Sequence, residues 1–350
     1  MRIGEIAERL APIVRAIDSS RPVTGALAGV VMSNQTAYPG AVDIVGYNYT
    51  EDRYDIDHQT YPDRVIYGSE NGHGYDAWKA VRDNEHIFGQ FLWTGTDYLG
   101  ESNPWPSRGL GTGLLDFGSF LKPRGKFRAS LWSETPVAYL GAYEIAEGHD
   151  PGYWIDAPEV WNFNDGQPVR VVCYTNCPSA RLLVNGEPVA TASSADLKEG
   201  MMAWDIPFKP GELKVEALAA DGSVAATDKL QTTGRPYALR VTSDTDRLDE
   251  SSPLAHVTVE VVDENGVRIP LADNMVKCEV ESGVLLGLEG TGNTDMSHPR
   301  ATERRASNGR VLAYVGRGDS ATPVKVKFTS PLLKSAVIEF NAPMSAQTAD

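Results

Sequence analysis

Three stretches combine residue types and spacings suited to chemistry. Arg64–Gly74 reads RVIYGSENGHG, an apolar run ending in Gly-Ser-Glu. Glu70 is therefore expected at the C-terminal rim of a strand, where parallel α/β folds keep their catalytic groups. A carboxylate there can attack an electrophilic carbon or move a proton, although most glutamates are surface charges. Val42–Tyr49, VDIVGYNY, reads as a second buried strand that sets Tyr47 and Asn48 on the same rim. A tyrosine hydroxyl donating to Glu70 would favour its charged form; the plainer alternative is a half-buried tyrosine with its hydroxyl in water. Phe88–Glu101, FGQFLWTGTDYLGE, puts Trp93 at the end of a third strand, with Asp97, Tyr98 and Glu101 in the glycine-rich loop after it. Asn103–Arg108, NPWPSR, adds Trp105. Aromatic rings suit the apolar face of a sugar and acidic groups its hydroxyls; Trp105, between two prolines, reads equally well as a loop anchor.

The elements that must position these residues change in texture near residue 135. Before it, Pro22–Leu27, Val42–Asn48, Arg64–Glu70 and Phe88–Thr94 read as strands, with helical patterns over Tyr75–His86 and Phe120–Trp132. Strand and helix in alternation predict βαβ units and a parallel sheet. Residues 2–17 place Ile3, Ile6, Leu10, Ile13, Val14 and Ile17 on one helical face, with a kink or restart expected at Pro12. Four βα units make half of an eight-stranded barrel, so this block is either a small open α/β domain or the C-terminal part of something larger. After residue 135, short apolar runs alternate with Asn-Gly, Pro-Gly and Asp-Gly turns, the pattern of an all-β sandwich of about 100 residues. A second such block runs from Tyr237 to Phe340.

Composition narrows the function classes. The chain has 350 residues, enough for two or three domains, and a formal charge of −15 that argues against nucleic acid and anionic membranes as partners. No apolar run approaches the roughly 18 residues of a membrane span, and MRIGEIAERL has no signal-peptide character, which leaves location unknown. Cys173, Cys177 and Cys278 read as free thiols: the first two sit in one predicted strand, about 13 Å apart, too far for a bridge. No metal-ligand spacing, phosphate loop, dinucleotide fingerprint or nucleophile elbow is present, so no cofactor and no metal are expected. Gly109–Gly113, Asp263–Gly266 and Gly290–Asp295 read as turns.

VDIVGYNYTEDRYDIDH, RVIYGSENG and GQFLWTGTDYLGE with WPSRG, in that order, resemble the last four strands of a glycoside hydrolase family 2 catalytic barrel of the β-galactosidase-like kind. YTNCPSARLLVNGEPV is similar to the immunoglobulin-like domain that follows in many members, and VEVVDENGVRIPLADNMVKCEVES to a further C-terminal β domain. The resemblance implies a partial (β/α)8 TIM barrel over residues 1–134. It then implies immunoglobulin-like sandwiches over 135–234 and 235–342, with a disordered tail at 343–350. It implies Glu70 as catalytic nucleophile, Tyr47 as its hydrogen-bond partner, and His73 and Trp93 as sugar contacts; Asn48, Asp97, Glu101 and Trp105 are expected as further substrate ligands from their places on the rim and its loops. It places the acid/base glutamate ahead of Met1. The expected function is retaining hydrolysis of β-galactosides or related β-hexosides, with this chain inactive alone. A β-linked oligosaccharide is the expected ligand, and the missing N-terminal half or another copy the expected protein partner. The alternative is a non-catalytic fragment that binds glycan or protein.

Overall fold

The computed structural model describes residues 2–318 and 322–341; the expected tail at 343–350 lies outside them. The chain forms two compact units, Met1–Gly95 and Thr96–Asp350. In the first, β1 (Thr24–Leu27), β2 (Ile44–Asn48), β3 (Ile66–Asn71) and β4 (Ile87–Leu92) lie side by side in chain order, all parallel. The connections hold α2 (Val30–Ser33) and α3 (Tyr38–Ala41), then a 3-10 turn (Glu51–Arg53) with α4 (Tyr54–Thr60), then α5 (Tyr75–Arg82). Leu27, Val45, Tyr47, Ile66 and Ile87 form the core. All four expected strands are present, whereas α5 ends at Arg82, short of His86. Among the described residues, the outer edges of β1 and β4 carry no further strand.

α1 (Arg2–Ile17) departs from expectation twice. It runs unbroken through Pro12. The carbonyl that loses its donor belongs to Glu8, which is exposed, so water can satisfy it. The helix also buries its small-residue face, Gly4, Ala7 and Ala11, against α3. A Cβ on Gly4 would meet the Ala37 backbone nitrogen at 2.9 Å, which is why the contact takes glycine. The apolar stripe is left in solvent: Leu10 is 54% and Ile17 83% exposed, and Ile3, Ile6, Ile13 and Val14 are exposed with them.

The second unit begins with a two-stranded ribbon, β5 (Tyr98–Leu99) against β6 (Gly109–Leu110), so the Gly109 run opens as strand and not as turn. α6 (Pro123–Trp132) starts at the proline, whose fixed φ suits the first helical position. Its Phe127 meets Tyr174 edge-on at 5.3 Å. Residues 96–134, grouped by sequence with the strands before them, thus fold into the unit that carries the sandwiches.

Two β-sandwiches follow. In the first, β7 (Ala138–Glu144), β8 (Pro168–Thr175) and β11 (Met202–Pro207) form one sheet; β9 (Ser179–Val184), β10 (Glu187–Ser193), β12 (Glu212–Leu218) and β13 (Val224–Gln231) form the other. Trp161, Phe208, Leu182 and Val215 fill the space between them. The β9–β10 hairpin turns at Asn185-Gly186, with φ of 52° and 84°, as that dipeptide predicts. In the second sandwich, β14 (Ala238–Ser243), β15 (Leu254–Val262), β17 (Gly283–Glu289) and β19 (Arg310–Arg317) face β16 (Met275–Glu281), β18 (Glu303–Arg305), β20 (Val324–Thr329) and β21 (Ala336–Phe340). Val257, Val259, Val326, Phe328 and Phe340 make its core. Cys173, Cys177 and Cys278 are free and buried.

Candidate active site

Glu70 stands at the end of β3, half-buried, with Oε2 accepting from Asn48 Nδ2 at 3.1 Å. The Ser69 hydroxyl donates to Asn48 Oδ1 at 2.6 Å, which turns the amide so that its nitrogen faces the carboxylate. The Tyr49 amide donates to the Glu70 carbonyl at 2.8 Å, and the Trp93 amide to the Asn71 carbonyl at 3.0 Å, tying the ends of β2, β3 and β4 together. Trp93 is 37% exposed, and the Trp93–Thr94 peptide is cis. His73 is buried just ahead of α5.

A bulge sets this arrangement. Tyr47 pairs with Gly68, but the next pair is Asn48 with Glu70, so Ser69 is the extra residue in β3. The bulge brings Asn48 opposite the glutamate. Tyr47 turns the other way, which corrects the expectation that it stands on the rim. It is fully buried and its hydroxyl donates to Asp57 Oδ2 at 2.8 Å while accepting from Arg64 at 2.8 Å. Burial pushes the Tyr47 hydroxyl up to about 12. Asp57, on α4, also accepts from Asn34 and Arg53. Burial disfavours its charge, but those hydrogen bonds with the one from Tyr47 hold its carboxyl below the usual range. This is a closed network inside the unit, and it fixes α4 to the sheet.

Sequence reasoning missed the support behind Glu70. Asn71 is buried, and its amide donates to Glu51 Oε1 at 2.6 Å and to the Tyr54 hydroxyl at 3.2 Å. Gly68 makes room for it: a Cβ there would overlap the Asn71 amide and lie 2.7 Å from the Tyr54 oxygen. The run TEDRY, with Glu51 and Tyr54 three apart at the start of a turn, was the available signal. Tyr49 was also passed over; its φ of 49° points a half-exposed ring away from the strand's alternation.

The second unit's candidates divide. Asp97 is buried and spent, which corrects its reading as a free ligand for substrate hydroxyls. Its Oδ1 accepts from Lys122 Nζ at 2.9 Å and from the Gly113 amide at 2.7 Å, and Oδ2 from Lys122 at 3.2 Å. Glu101 accepts from the Tyr98 hydroxyl at the surface. Trp105 is 78% exposed, so the loop-anchor reading of its ring does not hold. Its loop is nonetheless pinned, because Ser107, Arg108 and Gly109 all bond to Glu289 or Asn293 of the second sandwich. Among the described residues, no His, Cys, Asp and Glu cluster has the makings of a metal site.

Residues 239–339 match the family model described as glycoside hydrolase family 2 C-terminal domain 5, and residues 166–226 match a domain of unknown function, DUF4982. The chain is 27% identical to beta-galactosidase BoGH2A of Bacteroides ovatus, over 96% of this chain and 43% of that protein. It is 29% identical to a beta-glucuronidase of Formosa agariphila, over 54% of this chain and 20% of that one. A solved glycosyl hydrolase family 2 member from Bacteroides cellulosilyticus superposes with a TM-score of 0.86 at 28% identity, covering 97% of this chain and 47% of that chain. A beta-glycosidase from Bacteroides vulgatus shares the fold with a TM-score of 0.82 at 19% identity, covering 97% and 49%. Residues 239–339 thus match a C-terminal domain of glycoside hydrolase family 2, and the chain is similar to the C-terminal region of proteins of that family. It spans less than half the length of these relatives.

Proposed function

We propose that residues 1–134 are the second half of an eight-stranded βα barrel and that Glu70 is the nucleophile of a retaining β-glycosidase. The observation that carries this reading is the bulged pairing of Asn48 with Glu70, which presents a half-buried carboxylate at a strand's C-terminal end with one oxygen bonded to an amide. The open edges of β1 and β4 and the solvent-facing apolar stripe of α1 support the half-barrel, since a stripe of that kind normally packs on a neighbouring helix. Residues 135–234 and 235–342 would be the immunoglobulin-like domains that follow.

In this reading Glu70 attacks the anomeric carbon and the bond from that carbon to the leaving oxygen breaks. A second carboxyl group ~5–5.5 Å away protonates the leaving oxygen, and water then hydrolyses the glycosyl ester. Asn48 steadies the attacking carboxylate, and Trp93 offers its indole to the sugar. The acid/base glutamate belongs to the front half of the barrel. A β-galactoside or related β-hexoside is the substrate, in line with the relatives named above. The test is to join the chain to a matching N-terminal half and assay aryl β-galactosides and β-glucuronides. Glu70→Gln should reduce turnover at least 1,000-fold; undiminished turnover refutes the assignment. The chain without that half should turn over no ordinary glycoside, and robust turnover would show the acid/base to be misplaced.

A further inference from the structure

The outer face of the second sandwich carries a groove of about 440 Å³, within the roughly 300–1,000 Å³ of small-molecule sites. Alternation along β14, β15 and β19 turns Val257, Val259 and Ala313 into the core, and Thr242, His256, Thr258 and Tyr314 outward. Register lines them up across the sheet: Thr242 beside Thr258, and His256 beside Tyr314. The opposite wall is the tight turn at 116–120, where Asp116 Oδ1 accepts from the amides of Gly118 and Phe120.

The groove is built and its hydrogen-bonding groups are not used up. Asp244 grips His256 twice, accepting from its backbone amide at 2.9 Å and meeting ring Nδ1 at 2.6 Å. That fixes the imidazole with Nε2 turned away from the carboxylate. The Tyr314 ring stands edge-on to it, with centroids 5.3 Å apart. The hydroxyls of Thr242, Thr258 and Tyr314, and His256 Nε2, make no hydrogen bond among the described residues, and none of them is sealed from solvent. A neighbouring cavity of about 300 Å³ differs: its Arg124–Asp156 and Arg268–Glu159 pairs satisfy each other.

We propose that this groove is a second, non-catalytic carbohydrate site that takes a neutral pyranose. The sugar lays its apolar face against Tyr314 and Phe120 and exchanges hydrogen bonds with His256 Nε2, the Tyr314 hydroxyl and the threonines. Asp244 makes an anionic sugar a poor fit, and Arg310, which lies over Phe120, is paired with Glu260. The proposal does not rest on the role of Glu70. The test is calorimetric titration of the whole chain with β-1,4-galactotetraose and with methyl β-galactoside. Binding in the millimolar range or tighter is expected. Tyr314→Ala should weaken it at least tenfold, and Tyr314→Phe and His256→Ala several-fold. Leu332→Ala, at an exposed turn outside the groove lining, should leave it unchanged. Circular dichroism of each variant reports folding, and Tyr314→Phe keeps the ring if the alanine variant unfolds. Absence of binding overturns the proposal. So does binding that survives both Tyr314 variants, which would place the sugar outside this groove.

Discussion

The two compact units bury their apolar residues very differently. In the second, both sandwiches close over their own cores, and Phe328, Phe340, Leu182 and Val215 are fully buried. In the first, the sheet keeps open edges and α1 turns six aliphatic side chains to solvent while packing through Gly4, Ala7 and Ala11. Their isolated carboxylates differ as well. Asp97 is neutralised by Lys122, whereas Glu70 has an amide for a partner and, among the described residues, no cation bonded to it. Burial and charge pairing mark what a region keeps for its own stability; exposed aliphatics and an unpaired carboxylate mark what it offers to something else.

The contrast can be broken by substitution. Phe328→Ala should destabilise the second unit by about 3–5 kcal/mol, read from urea unfolding, because it removes a fully buried ring from a closed core. A loss near zero would mean the second sandwich is no tighter than the first unit. Asp97→Ala should cost about 2–4 kcal/mol by leaving Lys122 in the loop without its counter-ion; a cost below ~0.5 kcal/mol would reduce the pair to an ordinary surface contact.

Asp116 gives a pH-dependent test. Burial pushes its carboxyl up to about 6, against hydrogen bonds from Phe120 and Gly118. The folded state therefore holds the proton more tightly than the unfolded state. Stability should fall as pH rises from about 4 to 6 and stay lower above that, by at most roughly 3 kcal/mol. Asp116→Asn should flatten this profile, and chemical unfolding at pH 4.5 and pH 7 measures it. Smallest in stability is the α1 surface: Ile6, Leu10 and Ile13 changed together to Gln should alter unfolding by less than about 1 kcal/mol while suppressing self-association in light scattering. A loss of several kcal/mol would show that the stripe is packed after all.

Much of the framework could be read from order and spacing. The four strands, Glu70 at the end of the third, and the Asn-Gly hairpin follow from local pattern, because a strand's alternation and a turn's positive φ are set by adjacent residues. The sequence sets Tyr47 and Asn48 alike on the rim of Glu70; the structure bonds Asn48 to Glu70 and Tyr47 to Asp57 and Arg64. One extra residue in β3 decides which of two neighbouring side chains meets the glutamate, and GSEN contains nothing that announces a bulge.

What the amino-acid sequence determined by itself is which residue types stand at which strand ends, since that depends on neighbours along the chain. What only the tertiary structure decided is which of those groups remain available. Asp97 is taken by a lysine 25 residues on, Asn71 is tied to Glu51 20 residues back, and α1 packs on its glycine and alanines and not on its isoleucines. Each outcome is a competition among partners distant in sequence, settled by shape and by the cost of burying charge, and neither is written in local spacing.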